Sequence, residues 1–424
     1  MSNNALNISA VVMCAVLFWL TAGNGPSPDP YATWLAGEMF AAGNLAAVYP
    51  APEAVFTMRP PEAWIAVEAA RAGPDQLYPF LYPPIWAAWA GELGGVVDFD
   101  RLLPLATAIN AALLSGMIVL AWRAVRAEMA LWLWIAIAAA AMLTTHVGYT
   151  ALQQNQPQIA VSFLIVLAIE RSRANANGAA GAALALAAAI KVYPALFALL
   201  WLAARNYRAL ASFTVCGGAL AALSVFLAGW PLHLAFLGQL ATISDSVLMT
   251  PINYNLAGLA AQFSDPSGFQ FVQSAGDSAT GAARSGWHVT GKGAVWALLS
   301  KLALVAALAA LMAAFARADT ATRHIWLWPC AIGVIALLSP LTWAYHYLPV
   351  FAFLPVLIWN LAPRHALIAL GALLLPIQIE VIPHYLYATF THNAPLFVGS
   401  IAMIALTLAF GWGAFRAAPA PRTA

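Results

Sequence analysis

Polar side chains beside long apolar runs are few in this chain of 424 residues, and they gather in five segments. The first reads Gly25-Pro-Ser-Pro-Asp-Pro-Tyr31. Asp29 falls just beyond the first apolar run, with prolines on both sides that stiffen its backbone. From Tyr31 onward the pattern turns helical, through Trp34, Leu35, Glu38 and Met39. Two roles suit Asp29: a cap for that short helix, or a catalytic carboxylate held close to the membrane surface.

The second segment, Leu77-Tyr-Pro-Phe-Leu-Tyr-Pro-Pro-Ile-Trp86, sets aromatic residues, Tyr82 among them, at the rim of a short helix. They suit interface anchoring and equally an aromatic wall for a lipid-linked sugar. The third, Gln153-Gln-Asn-Gln-Pro-Gln158, carries Gln156 at the end of an apolar run. Amides at membrane depth are costly without partners. They suit sugar hydroxyls or a hydrogen-bond network between spans. The fourth is Lys191 with Tyr193, where an ammonium near bilayer depth would suit a phosphate anion. The fifth, Ser339-Pro-Leu-Thr-Trp-Ala-Tyr-His-Tyr347, is a tight turn between apolar segments that brings Trp343 and His346 together. A loop, Thr250-Pro-Ile-Asn-Tyr-Asn-Leu256, is suited to add polar contacts from a lid, Asn255 among them.

The elements that must hold these residues are membrane helices. Hydrophobic residues make up 63% of the chain and charged ones 8%, too few charges to cover a soluble surface. Runs such as Ile8–Leu20, Leu131–Leu143, Ala297–Phe315 and Ser400–Trp412 lie in stretches near span length. No basic residue precedes the first run and no small-residue cleavage site follows it, so it reads as a retained span rather than a signal peptide. A net charge of +2 carries no message about nucleic acid. Cys14, Cys216 and Cys330 sit in apolar segments and read as small buried hydrophobes.

Basic loops set the expected orientation. Arg123/Arg126, Arg171/Arg173, Arg205/Arg208, Arg317/Arg323, Arg364 and the tail Arg416/Arg422 are assigned to the cytoplasm, with both termini. The external segments are then about 23–101, 147–157, 230–292, 341–346 and 383–395, two of them long loops. The stretch Gly178–Ala204 has basic flanks at both ends and Lys191-Val-Tyr-Pro194 at its middle. About 13 residues on each side of Lys191, ~20 Å of helix, suit two half-helices forming a hairpin with Lys191 at its tip. The alternative is one long tilted helix in which Lys191 snorkels. The expected fold is a single all-α polytopic domain over residues 1–424, with about 10–12 membrane helices and a short helix from Pro83 that spans or re-enters.

No phosphate-binding glycine loop, H-E-x-x-H, G-x-S-x-G or zinc spacing occurs, so neither a metal nor a cofactor is expected. No chain of buried carboxylates marks a proton pathway; Lys301 and Glu380 are the clearest charges near spans.

Taken in order, these segments resemble the polyprenol-phosphate-mannose-dependent mannosyltransferases, glycosyltransferase family 87 of the GT-C superfamily. The resemblance rests on Asp29 and Tyr31, Tyr82-Pro83-Pro84, Asn155-Gln156-Pro157-Gln158, Lys191 with Pro194, and Ser339-Pro340 with Trp343 and His346. It covers nearly the whole chain. Asn155 and Gln158 replace the glycine and asparagine of the third element, and residues 51–76 form a longer insertion. The resemblance implies a GT-C fold and an inverting transfer of a hexose, mannose first, from a polyprenyl-phosphate donor to a glycan or glycolipid acceptor. The site would lie at the external face of an inner membrane. Asp29 would be the general base. Lys191 would hold the departing phosphate, with His346 and Arg59 behind it, and Tyr82, Gln156, Trp343, Tyr31 and Asn255 would line the substrate. A competing reading is a lipid or oligosaccharide flippase or transporter; long loops confined to one face favour a one-sided enzyme.

Overall fold

The computed structural model describes residues 3–23, 25, 27–71, 77–273, 286–360, 363–379 and 394–417. The loop expected at 383–395 lies almost wholly outside them, as do Glu380 and part of the 51–76 insertion. The chain is an all-α polytopic membrane protein. Helix α1 (Asn3–Ala22) leads into a layer of short helices, α2 (Pro28–Ala41), α3 (Pro52–Phe56), α4 (Glu62–Arg71) and α5 (Ile85–Gly94). The bundle continues with α6 (Phe99–Val125), α7 (Leu131–Thr144), α8 (His146–Gln153), α9 (Gln158–Arg173), α10 (Asn177–Ile190), α11 (Ala198–Ala203) and α12 (Tyr207–Ala228). A second outlying region holds α13 (Trp230–Ser244), β1 (Ser246–Met249), α14 (Leu256–Ala261), β2 (Gln270–Gln273) and β3 (Gly286–Gly291). The chain closes with α15 (Ala294–Arg317), α16 (Thr320–Leu338), α17 (Leu348–Ala352), α18 (Pro355–Asn360), α19 (Pro363–Leu374) and α20 (Ala394–Ala417).

Among the described residues six helices, α1, α6, α12, α15, α16 and α20, are long and apolar enough to cross a bilayer. Four shorter apolar helices, α7 and α10 among them, accompany these. The shorter ones stop where the backbone leaves helical geometry: α7 ends at Thr145 and α10 at Lys191, both extended. Cys14 and Cys330 are buried as expected, whereas Cys216, on α12, is only partly buried.

Residues 178–204 form the hairpin. Asn206, just before α12, donates to Asn177 Oδ1 (2.8 Å), the first residue of α10, and to Ser172 Oγ (3.2 Å) near the end of α9. Both flanks therefore meet at one end, and Lys191 is carried to the other. Small residues let the returning chain pack closely. A Cβ on Gly181 would overlap the α12 backbone at Ala209 and Phe213. Pro194 is the second residue of the 3-10 turn Tyr193–Phe197 that reverses the chain.

The outer layer has its own core of Leu35, Tyr49, Trp64, Phe80 and Tyr82. Within it α2 crosses α5 at Gly37 and Gly91, where a Cβ on either would strike the other helix. Residues 51–71, most of the insertion, fold as α3 and α4. Trp64 is fully buried and donates to Ala47 O (2.8 Å).

The second long loop departs from the all-helical expectation. Its strands form a three-stranded antiparallel sheet in the order β1-β3-β2, with Met249 and Phe271 both opposite His288. Leu248, Val272 and Val289 face Phe56, Met58, Leu341 and Trp343, so the sheet is seated between the insertion and the Ser339–Tyr347 turn.

Candidate active site

One cavity of about 580 Å³ gathers residues from every one of the five polar segments. Asp29, Tyr82, Gln154, Lys191, Tyr193, Trp343 and His346 all line it.

Helix α2 starts at Pro28, and Ser27 occupies the cap position with no capping side-chain bond. Asp29 thus lies inside the first turn and does not cap. Its anion there gains from the helix dipole. Tyr82 donates to Asp29 Oδ1 at 3.4 Å, and Gln156 hydrogen-bonds the same carboxylate. Burial raises the carboxyl to about 6; the nearby charge of Lys191 and the bonds from Gln156 and Tyr82 oppose that rise.

Lys191 Nζ lies 5.4 Å from the ring centroids of both Tyr82 and Tyr345, within cation–π reach of each. Tyr82 therefore touches the acid with its hydroxyl and the cation with its face. The aromatic ring of contacts continues: Tyr345 stacks on His346 at 5.2 Å, and His346 meets Tyr193 at 5.7 Å. His346 Nδ1 is 3.1 Å from Trp343 O. Trp86 of α5 donates to Ala189 O (2.8 Å), tying the Tyr82 segment to the hairpin beside its tip.

The glutamine-rich segment divides between scaffold and site. Asn155, 3% exposed and left-handed at φ 46°, joins three elements. It donates to Ser27 Oγ and Thr107 Oγ1, each at 2.9 Å, and accepts from Asn110 at 3.1 Å. Gln153 donates to Thr21 O. These bonds fix the start of α2 and so the carboxylate. Gln158 donates to Tyr193 OH (2.7 Å). Gln154 and Gln156 are the two amides directed to the cavity and to Asp29.

Four sequence-derived candidates are absent from the cavity lining: Gln156, which reaches the site only through Asp29, and three that lie apart from it. Tyr31 packs on Phe99 at 5.0 Å; two residues beyond Asp29, it is rotated roughly 200° around the helix. Arg59 is exposed and pairs with Glu62 at 3.6 Å. Asn255 is fully buried and caps α14 by accepting from Gly258 N (2.7 Å), while its amide donates to Ser339 O and Pro340 O. Its loop is laced to the Trp343 turn, with Tyr254 N donating to Thr342 O and Ala344 N to Ile252 O, and its residues Thr250, Pro251 and Ile252 line the cavity.

Sequence reasoning did not single out Tyr345, the apolar walls Phe236, Leu240, Ile243 and Ile332, or Trp287. Trp287 lines the cavity from β3 while its Nε1 donates to Thr57 O (3.0 Å). Among the described residues no group of three or more His, Cys, Asp or Glu could hold a metal ion.

The described residues thus form a polytopic membrane protein in which one acid, Asp29, and one cation, Lys191, line an aromatic-walled cavity. Residues 80–290 match the model of glycosyltransferase family 87, and over that stretch the chain belongs to that family. It is a membrane glycosyltransferase. The match includes Tyr82, Gln156 and Lys191; Asp29, Trp343 and His346 lie beyond it. No curated protein matches the chain.

Proposed function

We propose that this glycosyltransferase is inverting and moves a hexose, mannose in the first instance, from a polyprenyl-phosphate donor to a glycan or glycolipid acceptor. The observation that carries the reading is the sharing of one cavity by Asp29 and Lys191. The Asp29 carboxylate takes the proton of the acceptor hydroxyl as that oxygen bonds to the anomeric carbon. The carbon–oxygen bond to phosphate breaks, and its electron pair leaves with the polyprenyl phosphate. That leaving group is already an anion, so a cation beside it is sufficient and no general acid is required. Lys191 is that cation, with His346 next to it.

The walls support a lipid donor. Phe236, Leu240 and Ile243 of α13 and Ile332 and Ala336 of α16 present apolar surface to the same cavity that holds the charges. A prenyl chain gains from such burial. Arginines at the opposite ends of α6, α9 and α15, namely Arg123, Arg173 and Arg317, support a site on the external face with those ends in the cytoplasm.

The test is transfer by the purified protein in liposomes, offered polyprenyl-phosphate hexoses and nucleotide sugars in parallel. Transfer from the lipid donor alone, with inversion at the anomeric carbon, is the expected result. Transfer from nucleotide sugars, or retention of configuration, would refute the reading.

A further inference from the structure

A second cavity, of about 430 Å³, lies at the far end of α6 and α9. Helix α9 starts at Gln158, bonded to Tyr193 of the active-site cavity, and ends at Arg173. Its 16 residues separate the two regions by ~24 Å, close to the thickness of a bilayer core. Arg123, Arg126 and Arg173 line this second cavity with Glu170, Trp122 and two alanines.

The cations there outnumber the anions. Glu170, 3% exposed, is the lining's one carboxylate, and two guanidinium groups already hold it, Arg171 at 2.7 Å and Arg123 at 3.0 Å. Asp319, an electrostatic neighbour of Arg173, accepts the Thr322 N–H at 2.7 Å as a helix cap. Arg126 and Arg173 have no hydrogen-bonded carboxylate among the described residues, and Arg173 Nε is buried with no partner among them. Behind them stands a π-helical turn, Arg323–Leu327, a geometry frequent at functional sites. Its His324 is 5% exposed, has Nε2 unpartnered among the described residues, and has Arg126, Arg173 and Arg323 as electrostatic neighbours.

Guanidinium groups gathered around a cavity repel one another unless an anion enters. Their planar forks match phosphate oxygens. The cavity sits at the end of a membrane-length apolar helix and is walled by Trp122, a residue type that favours the headgroup level. We propose that this cavity binds the phosphate of an anionic phospholipid headgroup, on the bilayer face opposite the active-site cavity. The lipid bridges α6 and α9, and through Arg173 also the π turn of α16, clamping three helices whose other ends build the active site.

Purified, delipidated full-length protein in neutral detergent provides the test. Phosphatidylglycerol should raise Tm, and the rise should shrink at high salt. Phosphatidylcholine and inorganic phosphate at equal phosphate concentration should not raise it. Arg126→Asn removes an exposed charge and tolerates the left-handed backbone found there, φ 53°. It should bind phosphatidylglycerol about tenfold or more weakly, the weight of one charge-assisted contact, while Tm without lipid stays level. Arg173→Gln should act in the same direction, and Arg126→Lys should restore part of the affinity. An equal shift with inorganic phosphate would reassign the cavity to a soluble anion and overturn the proposal. An undiminished phosphatidylglycerol response in Arg126→Asn combined with Arg173→Gln, or no response in the unmodified protein, would overturn it as well. Transfer activity is not the readout, so failure here leaves the active-site reading untouched.

Discussion

Asp29 and Lys191 face one cavity with Tyr82 touching both, and that arrangement makes separable predictions. A general base works only when deprotonated. With its carboxyl raised to about 6, kcat/KM should climb with pH through an acidic limb near 6 and then level off. Tyr82→Phe keeps the ring over Lys191 but removes a bond that favours the carboxylate. The limb should move to higher pH, and a limb that stays in place or moves lower would show that Tyr82 does not tune Asp29. Lys191→Met keeps most of the stem and removes the charge. A charge-assisted contact is worth roughly 1.5–3 kcal/mol, so kcat/KM for the donor should fall about tenfold to a hundredfold. Lys191→Arg should recover part of that, since a planar fork differs from a point charge. Unchanged donor kinetics beside a lowered Tm would reduce Lys191 to an anchor.

At the scale of elements, the site depends on how helix ends are tied together. Asn155 is the knot: it holds Ser27, Thr107 and Asn110 from a left-handed backbone position that Asn tolerates better than most residues. Asn155→Leu strands those groups in a dry interior, at about 1–3 kcal/mol for each left unpaired. Tm should drop clearly and kcat should fall as the start of α2 loosens, although Asn155 itself is absent from the cavity lining. A variant with normal Tm and kcat would show that the network does not position Asp29. Much of this scale was legible in advance. Lys191 and Pro194 in the middle of a stretch flanked by arginines pointed to the hairpin, because helix length and the proline both argue locally. The division of labour within Gln153–Gln158 was not, because five chemically similar amides separate into scaffold and site only through partners distant in sequence. Tyr31 illustrates another limit: proximity to Asp29 in sequence says nothing of the turn of helix that points it toward Phe99. The β1-β3-β2 sheet escaped notice for a related reason. Its strands are four to six residues long and pair across a long intervening segment, so periodicity has little to act on. Trp287 and Tyr345 were missed with it, since what sets them at the cavity is tertiary.

For the whole molecule, the apolar composition and the recurrent arginine pairs already defined a polytopic membrane protein, and six membrane-length helices agree. Orientation can be tested directly. In a background without the native cysteines, Glu62→Cys, Gln270→Cys and Thr320→Cys all sit at exposed positions. An impermeant thiol reagent should label the first two from outside intact cells and Thr320→Cys only after the membrane is opened. Labelling of Thr320→Cys from outside would invert the protein and move the active-site cavity to the cytoplasm. The claim on which the rest depends is that Asp29 is the base of the transfer. Its pKa in the fold, about 6, exceeds the ~3.9 of an unfolded chain, so ionisation weakens the fold as pH rises through that window and remains a cost at neutral pH. Asp29→Asn should therefore keep or raise Tm at neutral pH. The most direct measurement is turnover of a polyprenyl-phosphate hexose by purified Asp29→Asn in liposomes, with Tm recorded on the same sample. A loss of about 10²-fold or more with Tm intact is the predicted result; near-normal turnover by the well-folded variant would contradict the mechanism.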